Sequence, residues 1–164
     1  MTVDRASVER LYRAHGHLVL RRARTILGSD ADAQEALQEV FAGLLRKTGD
    51  LREAGSVVAW LYAATTHFCL NLLRDRRTGA RLAERNLGHA TGGGGGRAHA
   101  LAEVRSLLAV LPEEVGAAVV YHHLDGMTYD EVGEQLGCSR RKVGYLLERA
   151  QALLSERERV EETA

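Results

Sequence analysis

Residues 128–154 read TYDEVGEQLGCSRRKVGYLLERAQALL. Two short amphipathic runs flank a Gly-Cys-Ser break, and the second opens on Arg140-Arg141-Lys142. Thr128 and Glu131 have the T-x-x-E spacing of a capping box, in which hydroxyl and carboxylate satisfy orphan N–H groups of a first turn. Tyr129, Val132 and Leu136 share a face, Gly137 supplies a left-handed stop, and Ser139 caps the next helix. There Val143, Leu146, Leu147, Ala150, Leu153 and Leu154 recur at helical spacing, which predicts a buried stripe. Arg140, Arg141, Lys142, Tyr145 and Arg149 fall largely outside it. The pattern fits a helix-turn-helix, whose second helix enters the major groove N-terminus first. An ordinary helical hairpin with a solvated charged end is the alternative. Three adjacent cations at a helix N-terminus oppose the macrodipole and cost local stability. A polyanion beside them offsets that cost, which favours the DNA-binding reading.

Composition points the same way. The chain has 164 residues, one proline and 5% aromatics, and is rich in Leu and Ala, which predicts an all-α protein. No apolar run reaches membrane-spanning length and no signal-peptide pattern opens the chain. Cys69 and Cys138 sit far apart inside helical patterns, so idle reduced thiols and a cytoplasmic location are expected. The formal net charge of zero conceals an asymmetry. Residues 1–77 carry twelve Lys/Arg against nine Asp/Glu, residues 78–99 three against one, and residues 100–164 seven against twelve. A protein that coats DNA indiscriminately would be basic throughout. This chain is suited to touching DNA at chosen places and a protein elsewhere.

The segment HATGGGGGRAHA (89–100) divides the chain, since five consecutive glycines cannot hold a helix. Two small helical domains, 1–77 and 101–156, are therefore expected on a flexible Gly-rich linker, 78–100. A tether of roughly twenty residues reaches about 25 Å. In the first domain, residues 5–27 form a helix stopped by Gly28, and Ser29 or Asp30 caps a second that runs to about Lys47. Ala33, Ala36, Leu37, Val40, Phe41, Leu44 and Leu45 form its apolar stripe. Asp32, Glu35, Gln38 and Glu39 occupy the other face. A polar loop at 48–56 precedes a long helix from Val57, capped by Ser56, to about Arg77. Arg74, Arg77 and Arg81 follow i, i+3, i+7, either as a cationic edge or as a solvated last turn favoured by the dipole. In the second domain, an amphipathic run from Leu101 stops and restarts at Leu111-Pro112-Glu113-Glu114. The helix that follows ends at Asp125-Gly126 and leads into the hairpin.

With both halves in view, the chain resembles a bacterial RNA polymerase sigma factor of the two-domain, extracytoplasmic-function type. DADAQEALQEVFAGLLRK resembles the core-polymerase-binding helix, and VVAWLYAATTHFCLNLLRDRR resembles the helix that reads and melts the −10 element. LPEEVGAAVVYHHLDGMTYDEVGEQLGCSRRKVGYLLERAQALL resembles the −35-reading domain. The resemblance implies that Asp32, Glu35, Gln38 and Glu39 dock on core RNA polymerase. It implies that the loop 48–56, with Asp50 and Arg52 as lining candidates, captures a base flipped from promoter DNA. His67, Asn71, Arg74 and Arg77 would hold the single strand. Ser139, Arg140, Arg141, Lys142, Tyr145 and Arg149 would meet the −35 duplex. A cognate anti-sigma factor is a further expected partner, with the free factor a monomer. Two departures stand out. His67 replaces the usual Asn, and Gly144-Tyr145-Leu146 replaces the usual Lys-Ser-Arg, so base preference does not carry over from relatives. Gly144 also costs about 1 kcal/mol within a helix.

Other readings compete. A helix-turn-helix regulator with a sensing or dimerising N-terminal domain would bind duplex DNA alone as a symmetric dimer. A protein-interaction module would keep the acidic face and dispense with the basic edges. Trp60 and Tyr62 could stack on bases, although Trp60 fits a core anchor beside Val57 and Leu61. His15/His17 and His122/His123 lack the companions of a zinc site. No paired carboxylates, nucleophile elbow or phosphate loop appears, so neither a cofactor nor an enzymatic activity is expected.

Overall fold

The computed structural model describes residues 4–46, 54–83 and 96–164, and every regular element among them is helical. It divides into two compact units, residues 1–72 and 73–164.

The first unit begins with α1 (Arg5–Leu27). Asp4 caps it, accepting the Ser7 N–H at 2.7 Å, and hydrogen bonding from the Ser7 side chain, then from its backbone, holds the Asp4 carboxyl below the usual carboxylate range. Gly28 ends it at φ 67°, a conformation that costs a residue with a Cβ. Ser29 Oγ accepts the Asp32 N–H at 3.3 Å at the entry to α2 (Asp30–Arg46). Helix α3 spans Ala54–Ala83. It starts before Ser56, so Ser56 is not its cap, and residues 54–56 are helical rather than loop. It also continues beyond Arg77 through the first part of the expected linker. Residues 84–95 lie outside the described residues.

Val8, Val19, Leu37, Val40, Phe41, Leu44, Val57 and Leu61 form the core of this unit, with Trp60 packed against it as an anchor. Leu45 was expected in the same stripe but is 50% exposed, because the α2 surface turns towards solvent one position past Leu44. A polar lock lies among the apolar contacts. The buried Arg22 guanidinium donates to Thr66 Oγ1 from Nε at 3.1 Å and from Nη2 at 2.8 Å, and lies 4.5 Å over the Tyr62 ring. Thr66 in turn donates to the Tyr62 carbonyl at 2.8 Å. Asp32 is buried as well. Burial pushes the Cys69 thiol up to about 12, with Arg22 pulling down and Asp32 pushing up.

The second unit contains α4 (Gly96–Leu108), α5 (Glu113–Val119), α6 (Tyr129–Leu136) and α7 (Arg140–Thr163). Helix α5 passes into a π-helical turn, Val120–Leu124. Its wider loop is closed by Asp125 N–H on the Val120 carbonyl, and Gly126 then reverses the chain at φ 67°. The core gathers Leu108, Leu111, Val115, Val120, Tyr121, Val132, Val143 and Leu146, all buried.

Cys69 should resist alkylation in the native protein, since its thiol is buried and almost wholly un-ionised at neutral pH. Mass spectrometry after iodoacetamide treatment should find the half-buried Cys138 modified first and Cys69 only after denaturant is added.

Candidate nucleic-acid interface

The corner between α6 and α7 is built as the spacing predicted. Thr128 Oγ1 accepts the Glu131 N–H at 3.2 Å while the Glu131 carboxylate accepts the Thr128 N–H at 2.7 Å, completing the capping box. Gly137 terminates α6 at φ 70°. Ser139 Oγ accepts the Lys142 N–H at 3.1 Å and opens α7. Val143, Leu146, Leu147 and Ala150 are buried, and Leu153 and Leu154 are half-buried. Gly133 contributes a feature that spacing does not reveal. A Cβ there would stand 2.7 Å from the Cys138 carbonyl oxygen, while the Cys138 N–H donates to the Gly133 carbonyl at 2.9 Å. The helix and the turn therefore meet backbone to backbone. Gly144 is not constrained in this way, since a Cβ would meet Tyr129 at an ordinary 3.7 Å.

The stripe buries one face of α7 and leaves the other free. Ser139, Arg140, Arg141, Lys142, Tyr145 and Arg149 are all exposed. Arg140 and Lys142 are nonetheless engaged. Arg140 Nη1 lies 3.4 Å from Asp130 on α6, and Lys142 Nζ lies 3.8 Å from Glu114 on α5 and 5.5 Å from the Tyr145 ring centre. Arg141 and Arg149 have no acidic partner among the described residues. Arg141, Tyr145 and Arg149 follow one another at i, i+4, i+8 along the open face.

On α3 the expected strip keeps its helical spacing, but its members differ in exposure. Asn71 and Arg77 are exposed, whereas His67 and Arg74 are half-buried. The Arg74 Nε is shielded from solvent without a hydrogen-bond partner. His67 follows Thr66, so the Arg22 lock fixes the rotation of α3 beside it. Asp50 and Arg52 lie outside the described residues, as does most of the expected loop. The side chain of Arg81 is likewise not described. On α2, Glu35, Gln38 and Glu39 are exposed together, and Glu39 lies 3.9 Å from Arg46. Asp32 departs from that face. It stands one turn before Ala36 on the packed side, so it belongs to the interior with Arg22 and Cys69 rather than to the exposed acidic row. The histidine pairs are otherwise engaged or dispersed. His122 Nδ1 lies 2.7 Å from the Met127 carbonyl, with its ring against His123 and Tyr129.

Comparison with known proteins gives this geometry a family. Residues 11–78 match Sigma-70 region 2, and residues 101–154 match Sigma-70 region 4. The chain belongs to the sigma-70 family of RNA polymerase sigma factors, with the two-region organisation of the extracytoplasmic-function type. It is similar to the ECF RNA polymerase sigma factor SigE of Mycolicibacterium smegmatis, at 28% identity over 83% of this chain and 56% of that protein. It is also similar to SigM of Mycobacterium tuberculosis, at 28% identity over 93% of this chain and 77% of the relative. The chain thus spans little more than half the length of the first of these. In fold it matches CnrH, solved in complex with the cytosolic domain of CnrY, with a TM-score of 0.53, 21% identity and coverage of 96% and 90% of the two chains. It matches the sigma factor RpoE of Bartonella quintana, solved with the anti-sigma factor NepR, with a TM-score of 0.50, 13% identity and coverage of 90% and 94%. No described helix is long and apolar enough to cross a membrane.

Gly133→Val should reduce the stability of the second unit, because a branched side chain cannot share the space held by the Cys138 carbonyl. The expected loss is about 1–3 kcal/mol, in the range of overpacked interiors. Urea unfolding followed by circular dichroism measures it.

Proposed function

We propose that this chain directs RNA polymerase to specific promoters, with residues 101–156 reading the −35 duplex and residues 1–77 reading and opening the −10 element. The observation that carries the reading is the capped, basic and exposed start of α7 in a complete helix-turn-helix, in a chain whose other half matches Sigma-70 region 2. The residues 78–100 would connect the two activities. Glu35, Gln38 and Glu39 form the face offered to core polymerase, without Asp32. Asn71 and His67 read the single strand, Arg74 and Arg77 hold its phosphates, and Asp50 and Arg52 line the base-capturing loop. Single-strand binding of this kind offsets the few kcal/mol needed to unstack a base.

On the upstream side, Arg141 reads a base edge with Tyr145 beside it, and Arg149 meets phosphate. Ser139, Arg140 and Lys142 flank that contact. The chemistry of RNA synthesis belongs to the polymerase, and the chain acts without a cofactor of its own. A cytoplasmic location follows from that partner. The relatives solved with CnrY and NepR support an inhibitory protein partner for this chain as well.

Reversing Glu35 and Glu39 to Lys should abolish co-elution with core polymerase on gel filtration and abolish run-off transcription, while helicity stays unchanged. Undiminished core binding would contradict the docking assignment. Arg141→Ala should cost ~1–3 kcal/mol of promoter affinity and relax preference at one base pair. Arg149→Ala should instead weaken all sequences alike and lower the salt slope by about 0.9. Binding titrations against a panel of single-base −35 variants separate the two.

A further inference from the structure

The basic triplet that opens α7 is not uniformly available. Asp130, at the start of α6, lies 3.4 Å from Arg140 Nη1, and Glu114, in the first turn of α5, lies 3.8 Å from Lys142 Nζ. Arg141 between them has no such partner among the described residues. All four paired side chains are substantially exposed, at 69% and 68% for Arg140 and Asp130 and 43% and 55% for Lys142 and Glu114. Burial therefore does not require these pairs, and each carboxylate is free to be solvated instead. Both acids also sit in first turns, where an acidic side chain is stabilised by the helix dipole whether or not a cation is near. A cation drawn from its acid to a phosphate would leave a bare carboxylate beside the polyanion.

We propose that Asp130 and Glu114 are specificity-determining residues that hold Arg140 and Lys142 back from the phosphate backbone, leaving Arg141 as the unrestrained cation of the triplet. Phosphate contacts carry no sequence information, whereas base-edge contacts do. Muting two phosphate-directed cations lowers affinity for every DNA sequence while leaving the base-reading residue untouched. The ratio of specific to non-specific binding rises accordingly. The acidic balance of residues 100–164 fits this arrangement, seven cations facing twelve acids in the half of the chain that carries the DNA-reading helix.

The proposal rests on α7 entering duplex DNA, and not on polymerase binding. The test uses the full-length chain on a random-sequence duplex, with fluorescence anisotropy measured from 50 to 200 mM salt. Asp130→Asn and Glu114→Gln each keep the shape of the side chain and free one cation. Each should tighten binding and steepen the slope of log K against log salt by about 0.9, one additional phosphate contact. Between 50 and 200 mM salt that is a loss roughly 3.5-fold greater than in the unaltered chain. Glu134→Gln removes the same charge from α6, where no cation among the described residues is paired to it, and should leave the slope unchanged. Thermal melts of all three proteins verify that they fold. The proposal is overturned by unchanged slopes in both variants, by an equal steepening in Glu134→Gln, by weaker binding in Asp130→Asn, or by the absence of duplex binding throughout. Failure of promoter-directed run-off transcription alongside steepened slopes would instead count against the polymerase reading alone.

Discussion

At the corner of the second unit, two stretches of backbone approach so closely that no side chain fits between them. The Cys138 carbonyl occupies the space a Cβ on Gly133 would need, and Gly137 turns the chain with a positive φ that few other residues adopt. Those two glycines set the angle between α6 and α7. The angle sets which side of α7 packs against α5 and α6, and hence which side carries Arg141, Tyr145 and Arg149 to the outside. The caps at Thr128 and Ser139 hold the helix ends that meet at this corner. A capping bond contributes about 1 kcal/mol, so each is a modest stabilising element on its own. Together they define where α7 begins, and with it the position of Arg140, Arg141 and Lys142.

The first unit solves a related problem with polar groups. Helix α3 packs one face and leaves Asn71 and Arg77 exposed on another, and apolar contacts alone tolerate some rotation about its axis. The Arg22 guanidinium restricts that rotation by gripping the Thr66 hydroxyl with two N–H groups while lying over Tyr62. A buried guanidinium requires nearly all its hydrogen bonds, so the geometry is narrow. Asp32 takes its place in this interior. The exposed acidic face of α2 is correspondingly smaller, with Glu35, Gln38 and Glu39 on one side.

Electrostatics divides the labour between the two ends of the chain. The surplus of cations lies towards the N-terminal half and the surplus of acids towards the C-terminal half. A factor of this family gains little from a strong unspecific grip on DNA, because competing sites vastly outnumber promoters. The ion pairs of Arg140 with Asp130 and of Lys142 with Glu114 at the start of α7 are compatible with that requirement. Exposed ion pairs contribute only about 0–1 kcal/mol to stability, so the value of Asp130 and Glu114 lies elsewhere than in holding the fold together.

Local chemistry was legible in the sequence wherever a bond closes within a few residues. The capping box at Thr128–Glu131, the stops at Gly28 and Gly137, the Ser139 cap and the buried stripe of α7 all follow from short-range spacing, and the all-α character follows from periodicity. The family resemblance rested on the same segments. Spacing was less informative at boundaries, where α3 begins before its expected cap and continues beyond Arg77 because a helix ends where favourable contacts end. Side chains on the rim of a helical stripe were also ambiguous. Asp32 and Leu45 exchange the places expected of them, since burial there depends on which neighbouring helix covers the rim. Tertiary structure alone decided the partners distant in sequence, Arg22 with Thr66 and Lys142 with Glu114. A one-dimensional pattern records which face a residue occupies, but not what stands opposite it, and it is the opposing group that determines whether a cation is free to meet DNA.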